Sequence, residues 1–144
     1  MEVTLTMEQV KQFVQKYYQE IENKQVKAQI RNYKGYVGYG MSEHIGCITE
    51  IKIKGFMNLL GEQIPFEERI SETKLLEIFQ ELFKKQNIEI KNLYIESGIS
   101  STYVGYGKGE HEEKKVYCNG VKLYLSRQLE NSFNRTRVRN GENV

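Results

Sequence analysis

Apolar and polar positions fall into two helical stretches separated by strand-like runs. Met7, Val10, Phe13, Val14, Tyr17, Tyr18 and Ile21 recur at steps of three and four, the apolar face of a helix. Thr6 precedes them and Gln9 follows three residues later, the pattern of a capping box, and the helix is expected to end near Asn23. A second helix is expected after Ser71. Glu72 stands in its first turn, Leu75, Leu76, Ile78, Phe79, Leu82 and Phe83 form its buried face, and Asn87 serves as its cap.

Between and after the helices the period changes to two. Val26, Ala28 and Ile30 alternate with Lys27, Gln29 and Arg31, predicting a strand that runs towards Tyr39. Cys47, Thr49, Ile51 and Ile53 alternate with Glu50, Lys52 and Lys54, predicting another. Residues 55–68 hold the only proline, Pro65, and read as a connection that covers the core or pairs as a further strand. Beyond the second helix, Ile88 to Glu96 reads as a strand, Ser97 to Ser101 as a turn and Thr102 to Tyr106 as a strand. Val116 to Leu125 is interrupted by Asn119-Gly120, a hairpin signal, because both residues tolerate positive φ. Leu129 and Phe133 suit one short closing helical turn.

The chain repeats itself. Residues 36–44 read Y-V-G-Y-G-M-S-E-H and residues 103–111 read Y-V-G-Y-G-K-G-E-H, seven of nine positions identical. Each copy follows a helix and a strand. The expected fold is therefore α+β: two helix-plus-antiparallel-strand units, at about residues 6–68 and 71–126, related by a pseudo-twofold axis. The helices would cover one face of a mainly antiparallel sheet. One domain over residues 1–134 is followed by a basic tail, 135–144, expected to be disordered.

Composition narrows the chemistry. At 144 residues, 39% hydrophobic and 28% charged, the chain can bury a core without disulfides or metal. No apolar run is long enough to span a membrane, the first residues do not resemble a signal peptide, and two cysteines make no disulfide framework. A cytoplasmic setting is the expectation. All 19 acidic residues are Glu, which disfavours calcium loops and two-metal sites built on the shorter Asp. Abundant Lys, Ile, Asn, Tyr and Glu suggest an AT-rich genome, as in many low-GC bacteria and their phages. The net charge of +2 is carried by residues 127–144, which hold Arg127, Arg135, Arg137 and Arg139 against Glu130 and Glu142. A neutral body with a basic tail lacks the strongly basic face of a dedicated DNA-binding domain.

The repeated string offers the candidate sites. In a packing account, Tyr36 and Tyr103 alternate with Gly38 and Gly105 on one strand face, the glycines leave room for a neighbouring ring, and Gly40 and Gly107 turn the chain. In a functional account, Glu43, His44, Glu110 and His111 converge on the symmetry axis and bind a metal or share a proton. Cys47 and Cys118 would complete a Cys2His2 set. Strand geometry argues against it, because a three-residue step sends His44 and Cys47 to opposite faces, and Lys114 and Lys115 would repel a cation near His111. Residues 34–39 partly resemble the aromatic strand of RNA-recognition motifs, but the helix-first order departs from that fold. No nucleophile elbow, zincin or P-loop string is present.

The expected function is that of a non-enzymatic binding protein without a cofactor, such as a phage or mobile-element inhibitor or regulator of a host protein or nucleoprotein complex. Tyr36, Tyr39, Tyr103 and Tyr106, with the Glu-His pairs, would form the contact surface, and the tail arginines would reach nucleic acid or an acidic surface. A homodimer is compatible with the sequence. The alternative is a nucleotide-type ligand or metal site, enzymatic or not, in the duplicated loops.

Overall fold

The computed structural model describes residues 1–38, 40–42 and 44–126. The elements run β1 (Glu2–Leu5), α1 (Met7–Glu20), β2 (Val26–Val37), β3 (His44–Leu59), β4 (Glu62–Ile70), α2 (Glu72–Lys84), β5 (Ile90–Val104) and β6 (His111–Leu125). Short 3-10 turns at Gly40–Ser42 and Gly107–Gly109 close the β2–β3 and β5–β6 hairpins. The fold is α+β, and every strand pairing is antiparallel.

The strands form two three-stranded sheets, β1-β6-β5 and β2-β3-β4, instead of one continuous sheet. Each helix enters from a strand that has joined a sheet: β1 leads into α1 and β4 into α2. The Thr6 hydroxyl accepts from Gln9 N and the Gln9 side chain accepts from Thr6 N, so the capping box forms as read from sequence. Ser71 caps α2 through Lys74 N. The helices stop at Glu20 and Lys84. Asn23 and Asn87 then take positive φ, while Lys24 N and Ile88 N recover the carbonyls of Tyr18 and Phe83.

The core lies where the helices meet both sheets. Val10, Val14, Leu75, Ile78 and Phe79 pack with Ile51, Ile53, Ile90, Leu93, Val121 and Leu123, all buried. Phe13 bridges the helices, its ring 6.1 Å from that of Phe79 and 5.4 Å from that of Phe83. Two glutamines stitch helices to strands: Gln15 Oε1 accepts from Ala28 N, and Gln80 Nε2 donates to the carbonyl of Ile90.

Three sequence expectations change. Residues 2–5, left unassigned, form β1; Leu5 is buried and pairs with Val121. Residues 97–101 do not turn but continue β5, whereas residues 55–68 take one of their two expected roles and pair as a further strand, completing β3 and β4 around a tight turn at Leu60-Gly61. Asn119-Gly120 makes no hairpin. Glu96 pairs with Gly120 and Ser97 with Cys118, so Asn119 is the extra residue of a bulge. The reason is tertiary: the Leu5 carbonyl presses on Gly120, where a Cβ would stand 2.2 Å from its oxygen, and the φ of 137° suits only glycine. The expected closing turn at Leu129 and Phe133 and the tail at 135–144 lie outside the described residues.

Two stability measurements follow from these contacts. Gly120→Ala must displace β1 and is expected to cost about 2–4 kcal/mol in denaturant unfolding. Tyr18 is buried and its hydroxyl has no hydrogen-bond partner among the described residues. Burial, then Glu68, Tyr17 and Glu22, push that phenol up to about 12. Removing the orphan hydroxyl in Tyr18→Phe is expected to leave stability within about 1 kcal/mol of the parent or to raise it.

Candidate functional site

Two ribbons carry the repeated nonapeptides away from the core. Beyond Ala28 and Glu50, β2 and β3 continue as a two-stranded ribbon, and beyond Leu93 and Gly120 so do β5 and β6. None of the described residues at positions 29–49 or 94–119 is buried. From the pair Asn32–Thr49 to Val37–His44 the first ribbon extends about 17 Å, and from Ser97–Cys118 to Val104–His111 the second extends about 24 Å.

Glycine makes the narrow ribbons possible. Gly35 faces Gly46 across the first ribbon, with the Ile48 and Val37 side chains over them, and the Tyr117 ring lies over Gly98 in the second. Gly38 and Gly105 do not host rings. The strands end at Val37 and Val104, and both glycines turn the chain with φ of 99°; Gly40 and Gly107 follow at 56° and 55°. A Cβ on Gly105 would stand 2.4 Å from the Gly109 carbonyl oxygen, so the second tip closes only with glycine there.

The tips present aromatic and apolar groups to solvent. Tyr36 is 71% exposed and Tyr103 72%, at corresponding places in the two strings; Tyr106 is 97% exposed and Met41 wholly so. Tyr36 stands opposite Ile45 and Tyr103 opposite Glu112. His44 and His111 close different ribbons in different sheets, each paired with the valine before its tip. His111 Nδ1 lies 3.2 Å from the carbonyl oxygen of Gly109, and Glu110 is exposed. Tyr39, Glu43, Arg127, Arg135, Arg137 and Arg139 lie outside the described residues.

The Cys2His2 set draws no support from this arrangement. Cys47 pairs with Lys34 and Cys118 with Ser97, each on the ribbon face opposite its histidine. Among the described residues no cluster of three or more His, Cys, Asp or Glu could hold a metal ion, and no helix is long and apolar enough to cross a membrane.

Charge fixes the root of the first ribbon, which the sequence reading passed over. Glu50 on β3 is buried, yet its carboxylate accepts from Arg69 on β4 and Arg31 on β2, with Lys52 Nζ 3.5 Å away. Arg31 in turn stacks 4.6 Å from the centre of the Tyr33 ring. Lys52 also pairs with Glu67 at 3.0 Å. The signal in the sequence was an acid just before the core positions Ile51 and Ile53, with Lys52 two residues away on the same face and Arg31 and Arg69 on the neighbouring strands. A cavity of about 170 Å³ opens beside this network, walled by Tyr33, Ile48, Thr49, Leu75 and Ile95.

Comparison with protein-family models, curated proteins and solved structures finds no match to this chain. Its function is therefore argued from the geometry above.

The Arg69 hydrogen bond, with the Arg69, Arg31 and Lys52 charges, holds the Glu50 carboxyl below its ordinary value of 4.5. A depressed folded pKa stabilises the fold above the unfolded value, and that contribution disappears as pH falls through the folded one. Glu50→Gln should therefore lower the melting temperature at neutral pH, and below pH 4.5 the parent should converge on the variant. Thermal melts at stepped pH check both outcomes.

Proposed function

We propose that this chain is a binding protein that engages a macromolecular partner through the tips of its two β-ribbons. The observation that carries this reading is the pair of near-identical strings whose tyrosines, Tyr36 and Tyr103, stand about equally exposed at the ends of separate ribbons. Tyrosine offers a large, stiff, amphipathic contact surface, and exposed aromatics of this kind dominate interface energetics. Tyr36 and Tyr103 both lie in paired strands, opposite Ile45 and Glu112, so their backbone has little freedom to lose on binding.

A protein or nucleoprotein complex fits better than bare nucleic acid. The described residues near the tips mix Lys34, Lys114 and Lys115 with Glu110, Glu112 and Glu113, so they lack the net positive charge that attracts phosphate. Tyr39, Tyr106 and the tail arginines would add contacts to the same partner. The setting we favour is a phage or mobile-element product that inhibits or regulates a host complex in the cytoplasm, a reading supported by size and composition. The alternative of a nucleotide or metal site shared by the two Glu-His pairs is less favoured, because among the described residues no group of three or more His, Cys, Asp or Glu could hold a metal ion.

A photoreactive amino acid at position 36 or 103 should form discrete adducts in a low-GC bacterial extract. The same probe at Glu77, on the exposed side of α2, should not. Unlabelled parent protein should compete for the adducts, whereas a Tyr36→Ser, Tyr103→Ser double variant should not. That double variant should match the parent in stability within about 0.5 kcal/mol. Adducts that form equally from position 77, or that the double variant abolishes as well as the parent, reject the tips as the contact surface.

A further inference from the structure

The free strand edges of the two sheets are not equally guarded. An edge strand exposes unpaired N–H and C=O groups, and charged residues or proline keep other strands from adding to it. The edge strand β4 carries Glu62, Pro65, Glu67, Glu68 and Arg69, β2 carries Lys27, Arg31 and Lys34, and β1 has only four residues. Where β2 and β5 leave the body the helices cover them, since Gln15 accepts from Ala28 N and Gln80 donates to the Ile90 carbonyl. Past this cover β5 runs on as an edge strand, and from Ser97 to Val104 it holds no charge and no proline. Its register with β6 over that stretch has no shift, so no bulge turns the edge away. Among the described residues, this stretch bonds only to β6.

The first ribbon shows what the second lacks. Lys34 stands two residues before Tyr36, and Ser101 stands two before Tyr103. Arg31 stands five before Tyr36, and Gly98 five before Tyr103. Two copies of β2 laid edge to edge would bring cations together, a repulsion that two copies of β5 escape.

Pairing β5 with a second copy of itself also suits its side chains. A twofold axis through Ser101, perpendicular to the sheet, sets the two Ser101 residues opposite each other, Ser100 opposite Thr102, Gly98 opposite Val104, and Ile99 opposite Tyr103. Residues directly across antiparallel strands share a face, so Ile99 meets the Tyr103 ring, an aromatic–β-branched pair. Val116 flanks Ile99 on β6, so the otherwise exposed ring joins an apolar row. With the axis at Ser100 or Thr102, Tyr103 would face Ser97 or Ser101 instead. Lys114 lies opposite Ser101 on β6, and the two copies of it would stand three strand spacings apart, about 14 Å, beyond the screening length at physiological salt. We infer that the chain forms a twofold dimer in which two β5 strands pair antiparallel, edge to edge, with Ser101 on the axis. The two β1-β6-β5 sheets then become one sheet of six strands.

Sedimentation velocity of the full chain, from low micromolar to several hundred micromolar, tests this. The mass should rise with concentration from one chain of 16.9 kDa to twice that value. Ser101→Lys gives the second ribbon the residue that the first holds at the matching place. It should keep the parent's melting temperature at low micromolar concentration while weakening association about tenfold or more. In a Cys47→Ser, Cys118→Ser background, Ser101→Cys should form a disulfide-linked dimer on mild oxidation, and Thr102→Cys should not. A single-chain mass throughout, association undiminished by Ser101→Lys, or linkage as ready through position 102 as through 101 overturns the inference. A chain that stays single while a photoreactive residue at position 101 captures a protein from a bacterial extract assigns the edge to a partner's strand and overturns it equally.

Discussion

The pairing of the first strand with the last holds this molecule together. β1 lies against β6, Leu125 N donates to the Met1 carbonyl, and Leu5 is drawn into the core beside Val121. Without β1, the β5–β6 pair would be a bare hairpin, a form with little stability of its own. With β1 in place, that pair becomes one face of a core that both helices share. The demand is felt most sharply at Gly120, where the incoming backbone leaves no room for a side chain and bends β6 into a bulge.

The same strands do two jobs along their length. Near the helices they carry Ile51, Ile53, Leu93, Val121 and Leu123 into a shared interior. Further out they shed every buried residue and run on as ribbons, held by their own hydrogen bonds and by glycines that let neighbouring side chains lie flat. The Glu50 network sits where the first ribbon leaves the body. It ties β2, β3 and β4 together through one carboxylate with cations on three strands. Removing any one partner would leave the buried acid less well compensated than before.

Local chemistry was legible in the sequence and tertiary chemistry was not. Both helices were visible, because a capping residue followed by a three- and four-residue period is a short-range signal, and Thr6, Gln9 and Ser71 behave as that signal implies. The alternation of β2 and the inner half of β3 was equally plain. β1 was missed because four residues with two inward positions carry almost no period. Asn119-Gly120 misled because positive φ serves a hairpin or a bulge alike, and only the approach of Leu5 decides between them. The repeated strings were conspicuous, but their place at ribbon ends was not. Gly38 and Gly105 were read as strand residues making room for rings, whereas each ends its strand with a backbone turn. Glu50 escaped notice because two of its cationic partners, Arg31 and Arg69, come from strands that pair with β3 only in the folded chain.

The ribbon ends take no part in the interior. A substitution at Met41 or Tyr106 removes no buried contact and opens no cavity, since both side chains are bathed in solvent. Selection for foldability therefore weighs lightly on them, while selection for recognition can act there freely. A lineage carrying this architecture could retarget its contacts by exchanging a few residues at each extremity and leave the sixteen buried hydrophobic residues of the described chain untouched.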